Sequence, residues 1–318
     1  MSKALIEILI PTYNRGQILI KNLRHLEKDM HRYRVADYFA VTISDNCSTD
    51  DTETLVKQYA GSAKIEINYY KSPSNIGLEK NMVRITELAV LPYLLYLGDD
   101  DFLAEGYLKF CLDTISTAPE CGLIISGLAS LLADGRRIPG RNESFETTKL
   151  RPSFQTACRY SHMGHQLSGL LFKGKAFLPF YLANDKYRNL YPFVNWVTYY
   201  LLKFPAVYAP KYKTEITVGN NKDWSYNEVG LLDEVYKSYY PFLKTLGEKK
   251  VTDLMLRFTI MHAYRINFNK SLLTNYREIA AAAKKIKGFR RGLLFFLAKE
   301  YTKRKFTPAA GQTIGVKL

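Results

Sequence analysis

The chain reads as an α/β protein: a mainly parallel sheet flanked by helices, with a helical extension at its C-terminal end. Three observations predict this. Over the first 130 residues, short apolar runs alternate with segments whose apolar residues recur at helical spacing. The connections between them are short and carry Gly, Pro, Asn, Asp and Ser. Past residue 228 the pattern is helical, and basic residues gather near its end.

Leu5–Pro11 is a short apolar run of strand type, and Ile18, Leu19, Leu23, Leu26 and Met30 then fall on one helical face. Phe39–Ser44 is a second strand. Asp50–Tyr59 is a helix, with Ser48 or Asp50 as N-cap and Glu53 placed for a capping box. Lys64–Tyr70 is a third strand, and Leu78–Ala89 a helix behind a Pro73/Gly77 loop. Tyr93–Leu97 is a fourth strand that ends at Gly98-Asp99-Asp100-Asp101; Ala104–Ser116 is a helix and Cys121–Ser126 a strand. Beyond residue 130 the pattern loosens. Asp134–Thr148 reads as a loop, Gln166–Phe172 as a strand, Tyr191–Leu202, Glu228–Leu246 and Lys250–Tyr264 as helices, and 203–227 stays unassigned. The tail after Phe306 holds Pro308 and Gly311 and is expected to fray.

Strand–helix alternation with short loops means βαβ crossovers and a parallel sheet. Such sheets bind ligands at the carboxyl ends of their strands. That singles out Pro11–Arg15, Asp45–Asp50, Ser72–Gly77 and Gly98–Asp101.

A length of 318 residues at 47% hydrophobic content suffices for one large domain or one domain with an extension. The net charge of +15 favours an anionic partner: nucleic acid, an anionic membrane or a phosphorylated substrate. Its location narrows the choice. Lys270–Lys305 carries eleven Lys and Arg against Glu278 and Glu300, together with the run Leu293–Leu297. A basic helix with a Phe/Leu face has the composition of an interfacial membrane helix; the plainer alternative is a helix packed on the core with a solvated basic face. No helix-turn-helix, zinc or RNA-recognition signature accompanies the charge, so no nucleic acid is expected. Cys47, Cys111, Cys121 and Cys158 form no CxxC pair and read as reduced thiols. The N-terminal segment lacks the sections of a signal peptide, and no apolar run reaches the roughly 18 residues of a membrane span. The expectation is a protein that is not secreted by that route and does not cross a bilayer.

Three adjacent carboxylates at Asp99–Asp101 repel one another unless a cation neutralises them. Their hard oxygens suit Mg²⁺ or Mn²⁺, ions that also bridge diphosphate oxygens; an acidic surface turn is the alternative. Alternation at a strand end puts Asp99 and Asp101 on one side. Asp45 and Asn46 end the second strand, where they can bond a base or ribose, although Ser48 and Asp50 are explained by capping alone. Tyr13 can stack on a base and Arg15 can reach a phosphate; Asn75, Gly77 and Asn81 read as a turn first and a nucleotide contact second.

Taken together, Pro11–Arg15, Ser44–Asp50, Asn75-Ile76-Gly77 with Asn81, and Gly98–Asp101 resemble in order and spacing the family-2 glycosyltransferases, over roughly residues 4 to 130. The wording SDNCSTD and GDDD looks most like bacterial O-antigen and capsule enzymes, including the abequosyltransferase-like branch. The resemblance implies the GT-A fold, a nucleotide-diphosphate sugar as donor, a divalent metal (Mn or Mg), and inversion at the anomeric carbon. It further implies a nucleotide-sugar-binding half at 1–130, an acceptor-binding half at 131–246, and a basic helical extension at 247–318. Carried over by position, Pro11, Thr12, Tyr13 and Arg15, with Asp45, Asn46, Asn75, Gly77, Asn81, Asp99 and Asp100, would line the nucleotide site. Asp99 and Asp101 would hold the metal, and Asp101→Asn would stop transfer with the fold intact. Asn46 replaces a common Asp, and Gly98 stands where an Asp is common. The family's Glu-Asp base pair is missing from 184–196, which leaves Asp185 as the candidate base, with His165 and His162 next. An inactive or non-enzymatic protein of this fold, binding nucleic acid or membrane through its basic C-terminus, is the alternative. A sugar nucleotidyltransferase is disfavoured, because Pro11–Gly16 lacks the glycine density of a phosphate-binding loop. The expected setting is a cytoplasmic enzyme peripheral on the inner face of the membrane, acting on an acceptor glycan that is polyprenyl-diphosphate-linked or growing.

Overall fold

The computed structural model describes residues 4–132, 134–140, 146–218, 228–283, 286 and 288–306. The tail after Phe306, Lys284, Lys285 and Lys287 lie outside the described residues. The elements run β1 (Ile6–Thr12), α1 (Gly16–Arg32), β2 (Phe39–Asp45), α2 (Thr52–Ala60), β3 (Glu66–Lys71), α3 (Leu78–Leu88), β4 (Tyr93–Tyr96), α4 (Tyr107–Thr117), β5 (Leu123–Leu131), β6 (Arg137–Pro139), β7 (Thr148–Leu150), α5 (Phe154–Tyr160), β8 (Leu170–Lys173), α6 (Phe177–Leu182), α7 (Pro192–Lys203), β9 (Ala206–Thr217), α8 (Glu228–Tyr239), α9 (Leu243–Met261), α10 (Leu272–Ala282) and α11 (Phe289–Phe306).

The chain divides into two compact units. The first, residues 1–152, 166–180 and 199–222, contains the whole sheet, in the order β3-β2-β1-β4-β8-β5-β9-β7 with β6 on β5. Strands β3, β2, β1 and β4 are mutually parallel, and β8 runs antiparallel between β4 and β5. Every residue of β1, β2 and β4 is buried. A strand covered on both faces reads as a continuous apolar run, and that is why the sequence pattern finds these three so readily. Leu19, Ile20, Leu23, Leu26 and Met30 of α1 join Ile6, Ile8, Ile10, Val41 and Ile43 in one core. Each such side chain, fully buried, contributes roughly 1.5–3 kcal/mol. Glu7 is the polar exception within β1. Its carboxylate accepts Thr42 Oγ1 at 2.6 Å and the Val90 and Leu91 amides at 2.7 and 2.9 Å, so burial leaves it satisfied.

Several boundaries depart from expectation for identifiable reasons. α2 starts at Thr52, and neither Ser48 nor Asp50 is its N-cap. Ser48 bonds Asp45, Asp50 accepts Thr52 Oγ1 and N, and Glu53 pairs with Lys57 and Lys71 instead of closing a capping box. α4 begins three residues late because Gly106 adopts a left-handed conformation (φ 75°). The expected loop at Asp134–Thr148 contains β6, which pairs with β5. β9, twelve residues long and unassigned from sequence, carries Pro210 where it bulges: its register against β5 jumps from Ser126↔Ala209 to Gly127↔Lys213.

The second unit, residues 153–165, 181–198 and 223–318, is helical. The single helix expected over Glu228–Leu246 stops at Tyr239, where Pro241 opens a short 3-10 turn; Gly247 (φ 77°) then kinks α9. In α11, Phe289, Leu293 and Leu297 are buried, whereas Leu294 and Phe295 face out.

Candidate active site

The strand order places β1 between β2 and β4, so chain connections leave β1 in opposite directions. That makes the carboxyl ends of β1 and β4 the switch point of the sheet. Thr12 closes β1 opposite Asp45 at the end of β2, and Asp45 lies opposite Lys71 of β3. The acidic run follows β4 after Leu97 and Gly98. Thr12 Oγ1 donates to Asp99 Oδ2 at 2.9 Å. Arg15 Nη1 lies 3.0 Å from Asp99 Oδ1 and 3.3 Å from Asp100 Oδ2. One guanidinium nitrogen therefore spans both carboxylates. Burial raises the Asp99 pKa, Arg15 pulls it back and Asp100 pushes it up again, with the net effect upward. Burial opposes the Arg15 cation, yet Asp99 and Asp100 outweigh it and raise the guanidinium's pKa.

Asp101 does something different. Its Oδ2 accepts Ser168 Oγ at 2.5 Å, and its Oδ1 accepts the Thr217 amide of β9 at 3.2 Å. Thr217 Oγ1 also donates to the Asp100 carbonyl. Asn22, fully buried on α1, donates to the carbonyls of Gly98 and Asp101 at 2.9 and 2.8 Å. Asn22, Ser168 and Thr217 were not singled out in the sequence. No local motif marks them; only the buried polar position of Asn22 on an apolar helix face hinted at a task. The same cradle accounts for Gly98. A Cβ there would meet Asp101 Oδ2 at 2.8 Å and Ser168 Oγ at 3.3 Å, so a side chain at this position would have to displace the Asp101–Ser168 pair.

The remaining predicted residues form a hydrogen-bonded floor under the loops. Asp45 accepts Ser48 N and Oγ and the Tyr69 hydroxyl. Asn46 donates to Asn75 Oδ1 at 2.8 Å and accepts the Ile76 amide at 2.9 Å. Asn81 accepts Ser44 Oγ and donates to the Ser44 carbonyl. Asn14 (φ 52°) receives the Thr49 amide while its own amide donates to Ser48, which ties the first loop to the second. Gly77 has φ 84°, and Pro11 is buried in β1. Tyr13 is exposed at the rim.

In the second unit, Asp185 opens a 3-10 turn; its side chain is 85% exposed and pairs with Arg188 at 3.4 Å. His162 and His165 are buried, and the ring of His165 stands edge-on to His262 at 4.5 Å. All four cysteines are free thiols, and burial pushes Cys121 up to about 11.

Among the described residues, no three His, Cys, Asp or Glu side chains are arranged to hold a metal by themselves. Two carboxylates already gathered on one cationic group do fit an ion that takes its other ligands from substrate phosphates.

A parallel α/β sheet with polar loops and an acidic run at its switch point is the frame of nucleotide-binding α/β proteins. The particular family follows from comparison. The chain belongs to Glycosyl transferase family 2, whose sequence model matches residues 7–165, half of its length. It is 32% identical over 104 residues to the abequosyltransferase RfbV of Salmonella typhimurium, which covers 33% of this chain and 30% of that one. It is 34% identical over 110 residues to an uncharacterized glycosyltransferase of Mycoplasma pneumoniae, covering 33% and 34%. The chain thus spans about a third of the length of these relatives. Its fold is similar to that of S. aureus TarS in complex with UDP-GlcNAc, at TM-score 0.64 and 13% identity, over 94% of this chain and 88% of that one. The UDP complex of TarS gives TM-score 0.61. The fold is the GT-A arrangement.

Proposed function

We propose that this protein transfers a sugar, a hexose or deoxyhexose, from a nucleotide-diphosphate sugar to an acceptor glycan in bacterial surface polysaccharide synthesis. The observation that carries this reading is the convergence of Asp99 and Asp100 on one cationic group at the switch point. Family membership and the chain's likeness to an abequosyltransferase and to TarS with bound UDP-GlcNAc support it.

The nucleotide would lie over the loops ending β1, β2 and β3, with Tyr13 against the base and Asp45, Asn46, Asn75, Gly77 and Asn81 shaping the floor. Asp99 and Asp100 replace Asp99 and Asp101 as the proposed holders of Mn²⁺ or Mg²⁺, because Asp101 is committed to Ser168 and Thr217. Such an ion neutralises charge on a departing diphosphate. Asp185 is the proposed base that takes the proton from the acceptor hydroxyl. The hydroxyl oxygen bonds to the anomeric carbon as the bond to the nucleotide breaks, with inversion. His165 is the second choice for this role.

A thermal-shift series with UDP, GDP, CDP and dTDP, each with Mn²⁺, Mg²⁺ and EDTA, tests the reading. One nucleotide should raise Tm in a metal-dependent way, since a ligand of the native state stabilises it. No shift with any of them would favour a family member without transfer activity.

The proposed setting is the inner face of the cytoplasmic membrane, with a polyprenyl-diphosphate-linked or growing glycan as acceptor. Among the described residues no helix is long and apolar enough to cross a membrane. α11 instead exposes Phe295 (76%) and Leu294 beside exposed Arg290, Arg291 and Lys299. Each well-placed cation adds about 1 kcal/mol at an anionic surface. Replacing Leu294 and Phe295 by Ser should lower partitioning onto phosphatidylglycerol vesicles by about tenfold, the equivalent of about 1.4 kcal/mol of lost apolar burial. Unchanged partitioning would make α11 a structural helix only.

A further inference from the structure

We infer that Arg15 is the resident counter-cation of the Asp99–Asp100 pair and that its occupancy makes metal binding there depend on nucleotide. The inference rests on the donor-site reading above and concerns how that site is loaded.

The geometry is specific. Nη1 of Arg15 contacts Asp99 Oδ1 and Asp100 Oδ2 together, at 3.0 and 3.3 Å. A divalent ion held by the same two oxygens would compete with that nitrogen for them. The carboxylates are not the groups that yield, since their side chains are only 9% and 5% exposed and Thr12 holds Asp99 from the other side. The backbone of the loop is also fixed, by the Asn14 contacts to Ser48 and Thr49. The Arg15 side chain, 35% exposed, is the part with somewhere to go.

Leaving two carboxylates costs a guanidinium its partners unless others are offered. A diphosphate offers them, in the planar two-oxygen form that Arg recognises best. A nucleoside diphosphate therefore draws Arg15 off the acidic pair and brings phosphate oxygens to complete the ion's shell. Metal and nucleotide then bind with positive coupling, and the coupling is reciprocal.

The experiment titrates Mn²⁺ into the full chain, following free Mn²⁺ by electron paramagnetic resonance. It is done with and without whichever of UDP, GDP, CDP or dTDP gives the largest thermal shift. Wild type is compared with Arg15→Gln, Arg15→Lys and Lys21→Gln; the last removes one charge from the exposed side of α1, the helix that follows Arg15. In wild type the nucleotide should tighten Mn²⁺ by at least about tenfold. Arg15→Gln should bind Mn²⁺ alone about tenfold more tightly than wild type, gain little further from nucleotide, and show a Tm that Mn²⁺ alone raises. Arg15→Lys should recover part of the coupling, and Lys21→Gln should behave as wild type. Unchanged Mn²⁺ affinity in Arg15→Gln overturns the inference. So does equal tightening with and without nucleotide, which is the signature of a charge effect without displacement. Absence of Mn²⁺ binding in every protein, with every nucleotide, overturns the metal-bearing donor reading itself and this inference with it.

Discussion

Asp100→Asn is expected to lower sugar transfer by about a hundred- to a thousandfold while the protein remains folded. The change removes one of two carboxylates that meet on a single cationic position and leaves the packing around it in place. Loss of stabilisation for a departing diphosphate is a transition-state loss of about 3–4 kcal/mol, which sets the size of the effect. Asp99→Asn should act in the same direction. The measurement pairs initial rates of transfer with the Mn²⁺-dependent thermal shift, and both should collapse together. Wild-type turnover in Asp100→Asn, still stimulated by Mn²⁺, would remove Asp100 from the metal role.

Asp101→Asn is expected to fail in another way, by destabilising the fold. The carboxylate accepts two hydrogen bonds, from Ser168 Oγ and from the Thr217 amide, at a buried position. An amide in its place keeps one acceptor and turns an N–H₂ toward the other donor. The cost is about 2–3 kcal/mol, since a buried polar group loses its partner. In a chain of 318 residues that corresponds to a fall in Tm on the order of 3–5 °C. Differential scanning calorimetry decides the matter. An unchanged Tm together with lost activity would return Asp101 to the metal-binding role that its place in the acidic run implied.

The contrast between these two residues shows how far the sequence could be read. Alternation along a strand end would put Asp99 and Asp101 on one side, but the rule assumes that the strand continues. β4 ends at Tyr96, and the acidic run is a turn closed by the Asp101 amide on the Gly98 carbonyl. The pair that meets is consequently Asp99 with Asp100. Asp45 and Asn46 were legible as strand-end polar residues, but the sequence could not show that their side chains tie one loop to the next, through Ser48 and through Asn75 and Ile76. Capping in α2 differs for a related reason: Ser48 turns to Asp45 and Asn14, whereas Asp50 does accept the amide and hydroxyl of Thr52, the first residue of α2, from one position ahead of the cap at Asp51.

What the sequence determined by itself is the frame. Buried parallel strands need apolar runs, and the helices covering them need one apolar face. Both are local patterns, so β1, β2, β4, α1 and α3 appear within a residue or two of their predicted bounds. The four polar loops follow from the frame, because turns and caps also have local chemistry. Contacts between distant positions belong to the tertiary structure alone. Arg15 reaches Asp99 across 84 residues, Ser168 reaches Asp101 across 67, and Thr217 reaches it across 116. β9 offers only the short apolar run Ala206–Ala209 before Pro210, and Lys211, Lys213 and Glu215 break the pattern after it. It is a strand because β5 offers it a partner, and its last residue then donates its amide to Asp101. Hydrogen-bond partners are set by where the folded backbone brings them, and no local periodicity encodes that.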